Sequence, residues 1–497
     1  MKNRFLAALL LSAPAALLAD VQLPAVISDH MLLQRDTPVR IWGKAEPGEA
    51  VSVAFRGQTV RTQADPLGRW FVFFTPSSAG GPFELTVQGN NTIVVRDVLV
   101  GEVWIASGQS NMGFTVRQSD SAQQEIAAAS FPNIRLFKVA LKVAHYPQDD
   151  VKGEWAQCAP ESVPAFSAVG YFFARHLHQK LNIPVGVIQT AWGGTPAEAW
   201  TSVTALAADP ALLSVFSDWG KVTEDYADQI ARYNLQLKRS EKPRQPNDPA
   251  NHQWMPGGLY NAMIAPLTPY AIRGAIWYQG ENNAGKKRSY VYRRLFPAMI
   301  QDWRNAWGLG DFPFLFVQLA NFGKNVPTSQ WPELREAQTM TLQLANTGMA
   351  VTIDIGNPSD IHPTNKQDVG MRLGLAARSI AYGEKLVYSG PLYRSAVREG
   401  GHLRLWFDHV GGGLKAKGGD LKGFEIAGRD GKFVAAQARI DGASVVVSSP
   451  DVREPASARY AWAESPECNL YNNEGLPASP FRTYAWEDAK LHKEAQR

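Results

Sequence analysis

The sequence predicts an α/β protein whose parallel sheet is covered by helices and flanked by two β-rich regions. Between about residues 98 and 385, buried apolar runs alternate with helical segments, which is typical of a parallel sheet. Short alternating strands separated by turn signals occupy residues 20–97, and strands with glycine-rich turns return over residues 386–497. The chain of 497 residues therefore divides into three predicted domains.

The first 19 residues have the composition of a secretion signal. Lys2 and Arg4 precede an apolar, alanine-rich run over 5–18, and Ala19 before Asp20 is a suitable cleavage point. No later apolar stretch reaches the ~18 residues that a membrane span needs. We therefore expect residues 1–19 to be removed and the mature chain to be secreted or periplasmic, with no membrane span.

Composition excludes one class of partner and leaves two questions open. The net charge is +4 and no block of Lys and Arg occurs, so nucleic-acid binding has no support. The 15 Trp and 15 Tyr fit either large cores or ring faces that stack on sugars. Cys158 and Cys468 can form a disulfide in an exported protein or remain as two buried thiols. The oligomeric state is not indicated.

The N-terminal region predicts a small antiparallel β-sandwich with a structural role. Residues 37–43 and 50–55 alternate apolar and polar side chains, and a turn precedes the run 69–74. Residues 83–87 and 92–95 complete the set. The spacing is that of short strands in a sandwich.

The central region predicts five sheet strands and places a site at one edge of them. In parallel sheets, ligands bind outside the carboxyl ends of the strands. Four of the five predicted strand ends carry polar or glycine-rich sequence. A helix is predicted over 170–181. The predicted strands cover residues 98–106, 184–190, 271–278, 314–319 and 350–354.

A serine follows the first of these strands. The stretch 108–112 places Ser110 in a tight turn before a helix, whose N–H groups would face an oxyanion formed at the serine. The alternative is that Ser110 only caps the helix. Ser107 is a less favoured nucleophile because it directly follows the apolar run.

A candidate base lies far along the chain. A nucleophilic serine needs a base, and the base needs a third group that holds its tautomer. His362 follows Asp360 by two residues on a predicted loop, where both side chains can converge. The alternative for any single histidine is solvent exposure or a structural position. No histidine pair has metal-ligand spacing, so neither a metal nor a cofactor is expected.

Four segments in order carry a family resemblance. Residues 108–112, 192–195, 277–281 and 360–363 together resemble the sialate O-acetylesterase family of the SGNH-hydrolase superfamily. The resemblance covers nearly the whole mature chain. It implies a flavodoxin-like three-layer SGNH-hydrolase domain with β-sandwich-type regions on either side. It also implies a serine esterase that removes O-acetyl groups from sugars, most of all from O-acetylated sialic acid.

The resemblance assigns a triad to Ser110, His362 and Asp360. Ser110 matches the nucleophile, and the other two match the remaining members. The superfamily often spaces its aspartate three residues before its histidine, whereas the spacing here is two. Glu281 or Asp354 could therefore take the role of Asp360.

The resemblance also assigns the groups that hold the oxyanion. These are the N–H of Ser110, the N–H of Gly194 (or of its neighbour Gly193) and the side-chain amide of Gln279. Glu281 is expected to be a supporting residue.

Two classes of acetylated sugar fit the same esterase chemistry, and a third interpretation assigns the chain to another class of protein. Acetylated xylan or another polysaccharide is the alternative to sialic acid, and a non-catalytic carbohydrate-binding protein is the third. An arginine would pair with a sialic acid carboxylate, and Arg288, Arg304 and Arg335 are candidates. Trp192, Trp200, Trp254 and Trp277 lie near predicted strand ends and could stack on a sugar or pack in the core.

Overall fold

The computed structural model describes residues 20–239, 241–285, 288–326 and 329–484, so the predicted signal peptide lies outside the described residues. The N-terminal strands form two sheets. β4-β3-β6-β7 is one sheet and β2-β5 is the other. Phe55 of one sheet meets Phe74 of the other edge-on, with ring centroids 5.7 Å apart, so the sheets face each other. The strands are β1 (Leu32–Gln34), β2 (Val39–Lys44), β3 (Ala50–Phe55), β4 (Gln58–Gln63), β5 (Arg69–Phe74), β6 (Gly80–Gln88) and β7 (Thr92–Gly108).

Strand β7 joins the N-terminal region to the central sheet. The two strands predicted at 92–95 and 98–106 are one strand of 17 residues. Its first part pairs with β6, and its last part pairs with strands of the central sheet. The predicted boundary between residues 97 and 98 thus falls inside β7, at Asp97, whose φ is 55°. Arg135 donates to both carboxylate oxygens of Asp97, at 2.7 and 2.9 Å, which fixes this bend.

The central sheet confirms the predicted α/β fold. Its order is β9-β8-β10-β7-β11-β12-β13, and only β9 runs antiparallel to its neighbour. Within it, β10-β7-β11-β12-β13 has the flavodoxin-like strand order. Strands β8 and β9 were not predicted, and the strand predicted at 350–354 lies earlier. The added strands are β8 (Phe131–Lys138), β9 (Trp155–Cys158), β10 (Val185–Ala191), β11 (Gly274–Tyr278), β12 (Phe314–Val317) and β13 (Thr347–Ala350).

Helices cover both faces of this sheet. Trp104 of β7 packs against Phe173 of α3, with ring centroids 5.0 Å apart. Trp277 of β11 pairs in register with Ser107, which lies on the opposite face from Trp104, and it packs against Trp303 of α6 at 5.9 Å. The sheet is therefore the middle of three layers. The helices are α1 (Ser110–Gly113), α2 (Ala122–Ala127), α3 (Ala168–Leu181), α4 (Val203–Ala208), α5 (Ser214–Lys238), α6 (Arg288–Trp307), α7 (Trp331–Met340) and α8 (Lys366–Ile380).

Two features concern possible membrane spans and the state of the two cysteines. Among the helices of the described ranges, none is long and apolar enough to cross a membrane. Cys158 and Cys468 are both free thiols, the first buried and the second half-buried. Burial raises the pKa of Cys158 to about 12, which makes it a poor nucleophile.

The C-terminal strands form a second pair of facing sheets. β14-β15-β20-β19 and β18-β17-β21-β23 are joined by a stack of Tyr393 on Phe481, with centroids 4.6 Å apart. Arg482 pairs with Glu336 of α7 at 2.7 Å, so this region packs on the helical layer. The strands are β14 (Leu392–Glu399), β15 (His402–Asp408), β16 (Leu414–Ala416), β17 (Phe424–Ala427), β18 (Val434–Ala435), β19 (Gln437–Asp441), β20 (Ser444–Ser448), β21 (Ser457–Tyr460), β22 (Leu470–Asn472) and β23 (Phe481–Arg482).

Candidate active site

Ser110 lies at the carboxyl edge of the central sheet, directly after β7. Gly108 has a φ of 137°, and a Cβ there would lie 2.2 Å from the carbonyl oxygen of Tyr278. Only glycine allows β7 and β11 to approach so closely at this point. The N–H of Gln109 donates to the same oxygen at 3.0 Å, which fixes the turn that presents Ser110.

Ser110 is the first helical residue of α1 and does not cap it. The N-cap position belongs to Gln109, so the capping alternative does not describe this turn. The N–H of a first helical residue has no partner inside its own helix and can serve a ligand. The rival Ser107 is buried, and its hydroxyl donates to the carbonyl of Thr190 at 2.6 Å. Ser107 is therefore part of the sheet interior.

His362 lies on the loop between β13 and α8, beside the segment that follows Ser110. Its ring stacks on Phe114, with centroids 6.3 Å apart and an interplanar angle of 21°. The side-chain amide of Asn111 donates to the carbonyl of Ile361 at 2.9 Å. Ser110 and His362 share no hydrogen bond in the described structure. Catalytic contacts of this kind are often long without substrate and tighten in the reacting complex.

Partial burial and two neighbouring charges set the pKa of His362. Burial lowers the pKa of His362, the carboxylate of Asp360 opposes this change, and the cation of Lys366 adds to it. The net direction is downward, which favours the neutral imidazole, the form that can accept a proton.

Of the three carboxylates considered for orienting the base, Asp360 lies nearest to it. Its Oδ1 is 3.7 Å from His362 Nδ1 and accepts the backbone N–H of His362 at 2.8 Å. Asp354 instead binds Arg372 through both oxygens, at 2.7 and 2.8 Å. Glu281 binds Asn111. The contact of Asp360 with the ring is an ion-pair distance and is longer than a hydrogen bond.

The loop after β10 brings two glycines next to the serine. A Cβ on Gly193 would lie 3.4 Å from the Cβ of Ser110, and both Gly193 and Gly194 are exposed. Gly194 has a φ of 71°, and its carbonyl accepts from Trp254 Nε1 at 2.6 Å and from Asn282 Nδ2 at 2.7 Å. Within the described part of the chain, its N–H has no acceptor and remains free for a ligand.

Gln279 is not placed as an oxyanion donor would be. The side chain is fully buried, and its amide N–H groups donate to Thr195 O at 3.1 Å and to Asn283 Oδ1 at 2.6 Å. Its Oε1 accepts from Tyr292 at 3.0 Å. Because the N–H groups already have acceptors, the geometry favours a supporting role in which Gln279 holds the Gly194 loop against β11.

Comparison with known proteins decides the family. A family model described as "Carbohydrate esterase, sialic acid-specific acetylesterase" matches residues 100–241 and 249–380. The chain belongs to this esterase family. It is 32% identical to the sialate O-acetylesterase of Mus musculus and 31% identical to that of Homo sapiens. These matches cover 92% and 94% of this chain, respectively, and 93% of each relative.

A solved structure agrees with this membership. A carbohydrate acetylesterase from Xanthomonas citri, for which a crystal structure has been solved, is 42% identical in sequence to this chain. The two structures match with a TM-score of 0.83. The match covers 94% of this chain and 100% of that one. The protein is therefore a carboxylic ester hydrolase, which overturns the alternative of a non-catalytic carbohydrate-binding protein.

The structure adds two residues to the site of the esterase that the sequence did not single out. Asn111 Nδ2 donates to Glu281 Oε1 at 2.6 Å, and Lys366 Nζ donates to Asn111 Oδ1 at 2.6 Å. Burial lowers the pKa of Lys366 to about 7 and raises the pKa of Glu281. Asn111 lies inside the serine motif, which was a usable signal. A single lysine at the start of a helix gives none.

The four candidate tryptophans separate into core and rim. Trp200 and Trp277 are fully buried and pack edge-on, with centroids 6.1 Å apart, so the core alternative holds for both. Trp192 is half-buried. Trp254 is 38% exposed and bonds the carbonyl of Gly194. Of the four, Trp254 is the one placed to offer a ring to a sugar.

The three candidate arginines separate in the same way. Arg304 and Arg335 are buried and donate to backbone carbonyls, so neither can meet a substrate carboxylate. Arg288 pairs with Glu198 and donates to Asn282 Oδ1 at 3.1 Å, and Asn282 in turn donates to the carbonyl of Gly194.

Among the described residues, no group of three or more His, Cys, Asp or Glu side chains could hold a metal ion.

Proposed function

We propose that the chain is an exported serine esterase that removes O-acetyl groups from a sugar, with O-acetylated sialic acid as the favoured substrate. One observation carries this proposal. Ser110 lies at a strand end, Gly193 lies beside it and is followed by the exposed Gly194, and His362 is on the adjoining loop. An esterase of this family needs a nucleophile, a base and oxyanion donors, and these residues supply each of them.

The reaction follows from these roles. Ser110 Oγ bonds to the acetyl carbonyl carbon while His362 takes its proton through Nε2, since Nδ1 faces Asp360. The N–H groups of Ser110 and Gly194 hold the oxyanion. The bond between the acetyl carbonyl carbon and the sugar oxygen then breaks, and His362 gives its proton to that oxygen, so that the sugar leaves with a free hydroxyl and the acetyl group stays on Ser110. Water, deprotonated by His362, attacks the acetyl-serine and releases acetate.

Asp360 is the proposed third member of the triad, and Gln279 and Glu281 are supporting residues. The carboxylate of Asp360 stabilises the positive charge that His362 gains during the reaction. Gln279 buttresses the Gly194 loop from within the core. These assignments predict unequal effects of substitution, which are developed in the Discussion.

The preference for sialic acid rests on the curated relatives, whereas the pairing of Arg288 with Glu198 favours an uncharged acetylated sugar. The curated relatives are sialate O-acetylesterases, and the solved relative is a carbohydrate acetylesterase. Arg288 could receive a substrate carboxylate at the rim, but Glu198 already pairs with it. A neutral acetylated sugar such as xylan needs no such arginine and could use the ring of Trp254.

Export and the division into domains 20–97, 98–385 and 386–497 are part of the same proposal. Export is supported by the composition of residues 1–19. N-terminal sequencing of the protein recovered outside the cytoplasm should begin at Asp20. Recovery of the chain inside the cell with its first residues retained would contradict export.

The test of the function is acetate release by the chain beginning at Asp20. O-acetylated sialic acid, acetylated xylan and 4-nitrophenyl acetate should be compared with a Ser110→Ala control. We expect release from all esters that fit the site to vanish in the control, and the preferred sugar to show the higher kcat/KM. Release that survives in Ser110→Ala refutes the assignment of the nucleophile.

A further inference from the structure

A buried polar cluster lies next to Ser110, and the proposed reaction does not use it. We call Asn111, Glu281 and Lys366 the Asn111 cluster. The amide of Asn111 donates to Glu281 Oε1 at 2.6 Å and accepts from Lys366 Nζ at 2.6 Å. The three residues come from the serine turn, the end of β11 and the start of α8, so the cluster joins three separate segments of the site.

The same amide also joins the serine turn to the loop of the base. Asn111 Nδ2 makes its second bond to the carbonyl of Ile361, the residue before His362, at 2.9 Å. Both N–H groups and the oxygen of this amide are therefore in use. Asn111 follows Ser110 directly, so its side chain ties the turn that carries the nucleophile to the loop that carries the base.

Lys366 occupies a costly place for a cation. Its side chain is fully buried, which disfavours the charge. The rings of Phe114 and Tyr278, whose centres lie 4.8 and 5.3 Å from the ammonium, attract the cation and offset part of this cost. Lys366 is the first residue of α8, where the helix dipole disfavours positive charge. Positions that break local rules are expected at functional or strained sites.

The charges facing Lys366 come from three other segments. Glu281 at the end of β11, Asp360 on the loop of the base and Asp120 after α1 all favour its protonated form, whereas burial opposes that form. Glu281 Oε2 is buried and accepts no hydrogen bond from the described residues. The cluster thus holds a buried amino group and a buried carboxyl group, bridged by one amide.

We propose that Lys366 is a positioning residue of this esterase, which acts through Asn111 to hold the Ser110 turn against the His362 loop. The inference rests on the proposed function, since the role is defined relative to that nucleophile and that base. The cation has a second effect. It disfavours protonation of His362 and so lowers the pKa of the base.

The test variant is Lys366→Met, which removes the charge and the bond to Asn111 at similar length. A displacement of about 1 Å at a reacting group costs about 10²-fold in rate. We therefore expect kcat for 4-nitrophenyl acetate to fall about 10- to 100-fold, with KM changed less than about threefold. The acid limb of the kcat/KM profile should move to higher pH, because loss of the cation raises the pKa of His362.

Two further variants separate the charge from the bond. Asn111→Leu breaks the bridge but keeps the lysine, so kcat should fall while the acid limb stays nearer that of the wild type. Lys366→Arg keeps the charge and should restore the acid limb even if the rate recovers only in part. These variants keep the test decisive if Lys366→Met does not fold.

Arg304→Met is the matched control. Arg304 is also a buried cation, but it binds Phe312 O and Ala345 O near the amino ends of β12 and β13, away from the site. Its loss should lower the free energy of unfolding and leave the acid limb in place.

The deciding measurement is the rate at which a fluorophosphonate probe labels Ser110 as a function of pH. Slower labelling of Lys366→Met with a raised acid limb supports the inference. If the wild-type protein is labelled at Ser110 and Lys366→Met has the same labelling rate and the same acid limb, the inference about Lys366 is overturned and the proposed function stands. Absence of labelling in the folded wild-type protein overturns the proposed function itself.

Discussion

Replacing Asp360 by asparagine measures how strongly a carboxylate supports the base. Asp360 Oδ1 lies 3.7 Å from His362 Nδ1, and the side chain of Asp360 is 56% exposed. Coulomb's law at the observed 3.7 Å gives about 1 kcal/mol in water and about 4.5 kcal/mol at an effective dielectric constant of about 20. The exposure places this pair near the lower value.

A loss of about 1 kcal/mol corresponds to a factor of about five in rate. We therefore expect Asp360→Asn to lower kcat/KM for 4-nitrophenyl acetate about five- to tenfold at neutral pH. The carboxylate of Asp360 raises the pKa of His362, so its removal should move the acid limb to lower pH. Steady-state kinetics across the acid limb measure both quantities.

Asp354→Asn is the control, because it removes a carboxylate that contacts Arg372 and not the base. Breaking that buried pair should lower the free energy of unfolding by about 3–5 kcal/mol without moving the acid limb. A loss of about 10⁴-fold in Asp360→Asn, as for the buried aspartate of a protease triad, would refute the weak-support argument. So would an acid limb that responds to Asp354→Asn and not to Asp360→Asn.

Four further outcomes are expected. Ser107→Ala should keep full esterase activity and lower the free energy of unfolding by about 1 kcal/mol, because its hydroxyl bonds only the carbonyl of Thr190; denaturant unfolding checks this. Gln279→Ala should destabilise by about 1–3 kcal/mol and lower kcat by less than the roughly 10²–10³-fold that loss of an oxyanion donor costs; an equal or larger loss of kcat restores Gln279 as a donor. Asp97→Asn should destabilise the protein at pH 7, since Arg135 holds the pKa of the Asp97 carboxyl well below its usual range. The stabilisation by this ion pair is present above about pH 4 and is lost as the pH falls. The difference in unfolding free energy between Asp97→Asn and the wild type should therefore shrink in acid unfolding experiments. Trp254→Ala should raise KM for acetylated sugars about tenfold and leave KM for 4-nitrophenyl acetate unchanged, which equal changes in both would contradict.

The fold could be predicted because strands β7, β10, β11 and β12 are apolar runs that end in polar or glycine-rich turns. Strand β8 escaped prediction for a physical reason. Its Arg135 is buried, but in sequence it reads as an exposed charge. The ion pair with the distant Asp97 and hydrogen bonds to the carbonyls of Pro132 and His30 make its burial tolerable. The predicted end of the last sheet strand was displaced because the chain stays buried over residues 351–353, past the end of the ladder.

The positions of the candidate site residues could be predicted where they follow a strand end, whereas contacts between side chains that meet across the fold could not. Ser110 and Gly194 follow directly from strand ends. Lys366 reaches Asn111 across 255 positions of sequence, so no local pattern could reveal the contact. The amide of Gln279 looked available in sequence, but the partners that occupy it, Thr195 O and Asn283 Oδ1, become neighbours only in the folded protein.

In the proposed reaction, Ser110 carries the acetyl group during turnover. Rapid quenching of the wild-type chain with 4-nitrophenyl acetate, followed by mass spectrometry of its peptides, tests this directly. We expect an acetyl group on the peptide that contains Ser110, and no burst of nitrophenol in Ser110→Ala. An acetyl group that accumulates on another residue, or a burst that persists in Ser110→Ala, would contradict it.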